Sequence, residues 1–203
     1  SFESFDFDFY DRFVSFLTFD YVQPRFKKEV IGLKVNTVGK TIKQLKIFIK
    51  DRARRKIIPP IDLTDYKVPD EESDAIYLNF DEIAAIYRTN LDMYPALIPD
   101  RNRFVVACLT GLRFSDFSLI EPHDLRDGLL YKKKKKSDHW VVIPLRKEAE
   151  EMLEQLFREN WAISSNPDFN RNIKTIGKLA SINNLITFTH KKGSIQLKVT
   201  KAK

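Results

Sequence analysis

Cysteine is nearly missing from this chain of 203 residues: Cys108 stands alone, so no intramolecular disulfide can form. Its three histidines are scattered, and without a second cysteine nearby they predict no metal centre. No apolar run approaches the roughly 18 residues that cross a bilayer. The N-terminus lacks the charged, apolar and small-residue succession of a signal peptide. The expectation is therefore a globular cytoplasmic protein with no membrane contact. There is no internal repeat, and no low-complexity segment apart from one run of lysines. Tyrosine is missing from the last third, since none follows Tyr131.

What is present is positive charge. Lys and Arg total 35 against 28 Asp and Glu, a net +7 with a pI near 9.3, which makes an anionic polymer the leading class of partner. Hydrophobic residues make up 43%, enough to bury one sizeable core or two small ones.

The charge is distributed unevenly. Phe9, Phe13, Phe16 and Leu17 recur at helical spacing over residues 4–20 and predict a core-facing helix. A connection follows, and Asn36-Thr37 marks a second helix start. Val38, Ile42, Leu45, Phe48 and Ile49 trace one apolar face of that helix. The opposite face carries Lys40, Lys43, Lys46, Lys50, Arg52, Arg54, Arg55 and Lys56, with Asp51 as the only acid among them. A solvated face normally mixes signs, so this one either solubilises the helix or meets a polyanion. Between Asp62 and Glu82 the balance inverts to eight acids and one base, Lys67, behind Pro59, Pro60 and Pro69. That stretch predicts an extended linker, dividing a helical domain over residues 1–70 from a mixed α+β domain over 75–203.

Asn79 followed by Glu82 reads as a capping box opening a helix through Arg88. Phe104 to Leu109 is an unbroken apolar run, and Gly111 is the residue type that ends helices by taking positive φ. Arg113 follows at once, with Asp116 in reach if the chain restarts as a helix, so a carboxylate could brace a guanidinium suited to a phosphate diester. Taken alone, an arginine after a helix-ending glycine is more often a structural ion pair. Further on, Lys132 to Lys136 lead into a Ser137-Asp138 turn and the run Trp140-Val-Val-Ile-Pro144, a predicted β-hairpin with Lys136 at its tip. Lysines there also suit a charged strand protected from edge-to-edge pairing. Amphipathic helices are expected over 146–161 and 168–180, and a second hairpin over 186–199 turning at Lys192-Gly193-Ser194.

The order of these features resembles the tyrosine recombinases, or phage-type integrases, especially those of mobile elements. Thr110, Gly111, Leu112, Arg113, Ser115 and Asp116 match the family's first catalytic box. Lys136, Ser137, Val141, Ile143, Pro144 and Leu145 match its lysine-bearing hairpin, with Lys134 and Lys135 as competing registers. Phe169-Asn170 with Ile173-Lys174 resembles the helix that follows. The resemblance implies a helical, SAM-like core-binding domain ahead of the N-terminal part of a catalytic domain with short antiparallel hairpins. It implies site-specific DNA recombination through a 3′-phosphotyrosine intermediate, with no metal or nucleotide cofactor. Arg113 would hold the non-bridging phosphate oxygens, Asp116 would support the arginine, and Lys136 would protonate the leaving oxygen. Lys40, Lys43, Lys46, Lys50, Arg54 and Arg55 would bind double-stranded DNA, and the longer protein would oligomerise on its site.

The departure from the family is equally specific. His190 is followed by Lys191-Lys192-Gly193 and does not fit the second box, His-x-x-Arg, and the nucleophilic tyrosine is not found. The expectation is a truncated integrase that binds DNA without cutting it. The runner-up is a non-catalytic accessory or regulatory DNA-binding module of the same fold. A basic protein of RNA assemblies comes third.

Overall fold

A computed structural model describes residues 5–23, 29–72 and 75–203. Asp74, one of the acids of the expected linker, and residues 24–28 of the connection after Gln23 lie outside the described residues. The chain divides into two compact units, Ser1–Ala75 with Leu185–Lys201, and Ile76–Asn184 with Ala202–Lys203.

In the first unit, α1 (Phe7–Ser15) starts where the Asp6 side chain accepts from the Phe9 amide at 2.8 Å, and it runs into a π-helical turn, Phe16–Asp20. The buried line of this helix is Tyr10 to Leu17, with Phe9 and Phe13 flanking it. Phe16, expected in the core, falls beside that line, remains 46% exposed and sets its ring edge-on to Tyr21. Two short paired strands, β1 (Val22–Gln23) and β2 (Val30–Ile31), lead to α2 (Val35–Arg54). Val38, Ile42 and Ile49 bury as their spacing requires, whereas Phe48 stays half exposed with the Arg52 guanidinium over its ring.

The acidic stretch is not an extended linker. Ile58, Leu63 and Tyr66 are buried in the same core as α1 and α2. Tyr66 donates its hydroxyl to the Asp6 carbonyl at 3.1 Å, and Tyr10 donates to the Lys67 carbonyl at 2.9 Å, with the two rings 5.0 Å apart. Asn36, expected to cap α2, instead grips the Glu71 backbone on both sides, donating to its carbonyl at 2.7 Å and accepting from its amide at 2.8 Å. Proline and acid content signalled a chain that forms no helix or strand, and the few apolar residues among them decided that it packs.

The second unit is built on α4 (Ile98–Thr110), which packs against α3 (Phe80–Arg88), α5 (Phe114–Phe117), α6 (Lys147–Glu159) and α7 (Asn166–Leu179). The capping box of α3 is complete, with Asn79 and Glu82 exchanging backbone-to-side-chain bonds of 2.8 Å. Val105 and Val106 of α4 meet Ile86, Met152, Leu153, Leu156 and Ile176 in the core. The first half of α4 is polar yet buried: Asp100, Asn102 and Arg103 are 1, 0 and 7% exposed. Asp100 accepts from Ser164 at 2.9 Å and Asn172 at 2.6 Å, Asn102 donates to Gln155 at 2.8 Å, and Arg103 donates to the carbonyls of Trp161 and Ala162 at 2.8 and 3.1 Å. These bonds offset most of the cost of burial, although the second Asp100 oxygen, Oδ1, is buried with no hydrogen-bond partner among the described residues.

A three-stranded antiparallel sheet in the order β3 (Leu125–Arg126), β4 (Leu129–Lys133) and β5 (Trp140–Pro144) completes this unit. The last hairpin, β6 (Leu185–Lys192) and β7 (Ile195–Ala202), turns at Gly193-Ser194 as expected. It does not join the second unit, where a domain over 75–203 would have put it. Residues 185–201 group with the first unit, fastened by the Lys191 amide donating to Glu71 at 2.5 Å and by Lys192 donating to the Ile31 carbonyl at 3.3 Å. Among the described residues no helix is long and apolar enough to cross a membrane.

Gly39, in the second turn of α2, shows how tightly the acidic segment is seated, since a Cβ there would stand 2.0 Å from the Pro69 carbonyl oxygen. Gly39→Ala is expected to lower the thermal midpoint, although alanine is favoured over glycine by about 1 kcal/mol in a helix interior. A raised midpoint in a calorimetric scan would show that the Pro69 backbone does not press on α2.

Candidate functional site

The candidate site begins where α4 stops. Gly111 has φ +67°, and its amide closes the helix by donating to Ala107. No neighbour lies within 4 Å of its Cβ position, so glycine is required there by conformation and not by space. The chain restarts with Arg113 in extended conformation as the N-cap of α5, its side chain exposed. The rings of Phe114, Phe117 and Phe169 form a triangle with centroids 5.3 to 5.4 Å apart, which seats the short helix on α7. Leu112, Phe117 and Leu130 join Phe169 in a buried cluster that ties the helix to the sheet as well.

Asp116 does not brace the Arg113 guanidinium as the spacing had predicted: no ion pair joins them among the described residues. The carboxylate is 2% exposed, and its Oδ1 accepts from the Lys135 backbone amide at 2.9 Å. Its own amide donates to the Arg113 carbonyl at 2.8 Å. One residue thus fastens both the arginine turn and the lysine loop. The second oxygen, Oδ2, is buried with no hydrogen-bond partner among the described residues.

The five lysines of the hairpin are not equivalent. Lys132 turns inward, donating to Asp124 at 2.7 Å and to the Leu119 carbonyl at 2.5 Å. Lys133 pairs with Asp138 at 2.7 Å. Lys134 is half-buried, and its amide closes the loop by donating to the His139 carbonyl at 2.9 Å. Lys135 and Lys136 have exposed side chains. The turn is longer than the two residues Ser137-Asp138, because the last strand pair is Lys133 with Trp140. Asp138 takes φ +57° within it.

On α2 the one-sign face also divides. Asp51 accepts from Arg52 at 2.6 Å, Arg54 at 3.0 Å and Arg55 at 3.2 Å, and these three guanidiniums hold its carboxyl down at about 2. Lys46 donates to the Tyr66 carbonyl at 2.7 Å and so anchors the acidic segment. Lys40, Lys43 and Lys50 are exposed. Spacing alone could not reveal that Lys46 and Lys132 serve the fold, because their acceptors are remote in sequence.

Burial pushes the Cys108 thiol up to about 11, so almost no thiolate exists near neutral pH and a cysteine nucleophile is disfavoured. Among the described residues no group of three or more His, Cys, Asp or Glu is placed to hold a metal ion. Asn170 lies exposed on α7, its side chain bonded back to Asn166, and His190 lies on β6 in the first unit.

Solved structures show what the fold is similar to. A lambda integrase dimer bound to a COC′ core site superposes with a TM-score of 0.60, covering 74% of this chain and 58% of the other at 17% identity. Over that span the fold resembles that of lambda integrase. A lambda integrase tetramer bound to a Holliday junction gives 0.58, with 73% and 46% covered at 19% identity, and lambda integrase bound to DNA gives 0.55, with 74% and 59% covered at 18% identity. The chain therefore spans less than two thirds of these structures. No protein-family model matches the sequence, and no curated protein does.

Removing the Asp116 carboxylate should loosen the hairpin loop. Asp116→Ala leaves the Lys135 amide without its acceptor, at a cost of about 1–3 kcal/mol, whereas Asp116→Asn keeps an oxygen in place. Amide exchange at Lys135 is expected to quicken in the alanine variant and to change little in the asparagine variant. Equal protection in all three proteins would mean the bond does not hold the loop.

Proposed function

We propose that this chain provides DNA binding and part of the catalytic site for site-specific recombination, breaking and rejoining strands through a 3′-phosphotyrosine intermediate. The observation that carries the reading is the single residue, Asp116, whose backbone amide bonds the Arg113 turn and whose carboxylate bonds the lysine loop. The likeness in fold to integrase structures solved on DNA supports it.

Breaking a phosphodiester without water needs a nucleophile, stabilisation of a pentacoordinate phosphorane, and a proton for the leaving 5′ oxygen. Arg113 is the clamp: its charge is fixed, its fork matches two non-bridging oxygens, and an exposed side chain on a rigid N-cap can meet a backbone arriving from solvent. Lys136 is the acid, because an ammonium can give up its proton. Asp116 is a positioning residue for both, and its unpartnered oxygen is an acceptor for a donor brought in by the substrate complex. The attacking tyrosine is assigned to no residue of this sequence. Double-stranded DNA is the partner, several copies of the longer protein assemble on it, the compartment is the cytoplasm, and no metal or nucleotide takes part. The role of a mobile-element integrase follows from the motifs of the sequence.

Phosphate contacts should come from Lys40, Lys43, Lys50, Arg54 and Arg55, each neutralised phosphate adding roughly 0.9 to the slope of log affinity against log salt. Lys43→Glu with Lys50→Glu is expected to weaken duplex binding and flatten that slope. Lys46→Ala should chiefly lower thermal stability, since Lys46 is engaged with Tyr66. Affinity and slope both unmoved by the double substitution would remove α2 from the interface.

The catalytic roles separate by substrate. When a longer form of the chain supplies the attacking tyrosine, Arg113→Ala should lose on the order of 100- to 1000-fold in cleavage rate on any substrate. Lys136→Ala should recover on a nicked substrate whose leaving oxygen is replaced by sulfur, which departs with little need of a proton. Rescue of both variants, or of neither, reassigns the acid, with Lys134 and Lys135 tested next.

A further inference from the structure

The sheet of the second unit has one face in the core and one in solvent. Leu130, Val141 and Ile143 pack inward with Phe117 and Phe169. The register places the other face as three cross-strand pairs: Leu129 with Pro144, Tyr131 with Val142, and Lys133 with Trp140. A solvated strand face normally carries polar residues. Here Trp140 is 66% exposed and Val142 52%, while Tyr131 is half-buried beneath the Arg126 guanidinium, 5.7 Å from its ring. Leaving an indole and a valine side by side in water on an outermost strand is unfavourable and invites association unless a partner covers them.

The charge around this face selects the partner. Arg126 flanks it at one side, and Lys133, Lys135, Lys136 and His139 stand at the loop end, against Asp138 and Asp127. A protein partner presenting only an apolar patch would gain nothing from so cationic a border, whereas a nucleic acid always presents phosphates beside the apolar edges of sugars and bases. We propose that the outward face of β4 and β5 is a DNA-contact surface in which Trp140 packs against sugar and base edges, while the cations beside it hold the flanking phosphates. This rests on the DNA-binding reading above and adds to it an apolar contact residue outside the catalytic set.

The chain has two tryptophans, so Trp161→Phe leaves Trp140 as the sole indole reporter. That variant is titrated with a fluorescein-labelled duplex of about 30 base pairs, following anisotropy and, with unlabelled duplex, indole emission and acrylamide quenching. Indole emission should change at the DNA concentration where anisotropy saturates, and acrylamide access should fall. In the otherwise natural chain, Trp140→Ala should weaken binding about tenfold with an unchanged salt slope, because no phosphate contact is lost. Its circular dichroism should be unaltered, as the residue is exposed. Anisotropy-detected binding with unchanged emission, quenching and Trp140→Ala affinity overturns the surface while leaving DNA binding intact. No binding of duplex by the natural chain overturns both. Protection of Trp140 without DNA, accompanied by self-association in sedimentation, reassigns the face to a second copy of the chain.

Discussion

A buried carboxylate accepting one backbone amide is the constraint on which the candidate site depends. Asp116 is placed by α5, a helix of a single turn that could not persist by its own hydrogen bonds. What holds it is the aromatic triangle around Phe169 on one side and the glycine-terminated end of α4 on the other. With α5 fixed, the carboxylate fixes Lys135, and the loop that carries Lys134 to Lys136 stops being a free tip. Arg113 and the lysine loop thereby share one rigid support although α5, a 3₁₀ turn at Pro122–Asp124, β3 and β4 lie between them.

That support reaches back into the polar half of α4. Asp100, Asn102 and Arg103 would be costly to bury singly, but between them they take partners from three neighbours: Asp100 from α7 and the segment after α6, Asn102 from α6, and Arg103 from the segment after α6. Apolar packing at Val105 and Val106 supplies attraction without direction, while these bonds fix how the surrounding helices are rotated about α4. The direction in which the helix ends, and so where Arg113 emerges, follows from that registration.

Local signals were legible in the sequence wherever their cause was local. Gly111 as a helix stop, the Asn79 and Glu82 box, the β4–β5 hairpin and the turn at Gly193 depend on backbone preferences within a few residues. What escaped the reading depends on partners far along the chain. Tyr10 reaches Lys67 and Asn36 reaches Glu71, so an acidic, proline-marked stretch packs as part of a core. Asp116 reaches Lys135 rather than Arg113, a choice made by the α5 seat and not by the three-residue spacing. The burial of the charged start of α4 left no local signal, because its hydrogen bonds are tertiary. In the candidate site the arginine and the lysine loop were recognisable as motifs, whereas the carboxylate that supports them, and the lysines that do not face solvent, were not.

The same logic separates the cations available to a polyanion from those already engaged. Each basic run contains or meets an acid that withdraws some of its members: Asp51 for Arg52, Arg54 and Arg55, Asp124 for Lys132, and Asp138 for Lys133. These pairs differ in how readily they can be given up. Lys132 and Asp124 have side chains only 14 and 10% exposed, so parting them would strand a charge in low dielectric, and that pair stays with the fold. Arg54 and Arg55 are 78 and 60% exposed, and Lys133 is 47%, so their pairs are screened and exchangeable for phosphates at little cost. A phosphate backbone would therefore meet Lys40, Lys43 and Lys50 with no ion pair to displace among the described residues, and could recruit the arginines only by displacing Asp51. Because Asp51 remains ionised until the pH approaches about 2, no physiological change of pH makes that displacement easier. The contest between Asp51 and a phosphate is settled by geometry and ionic strength instead.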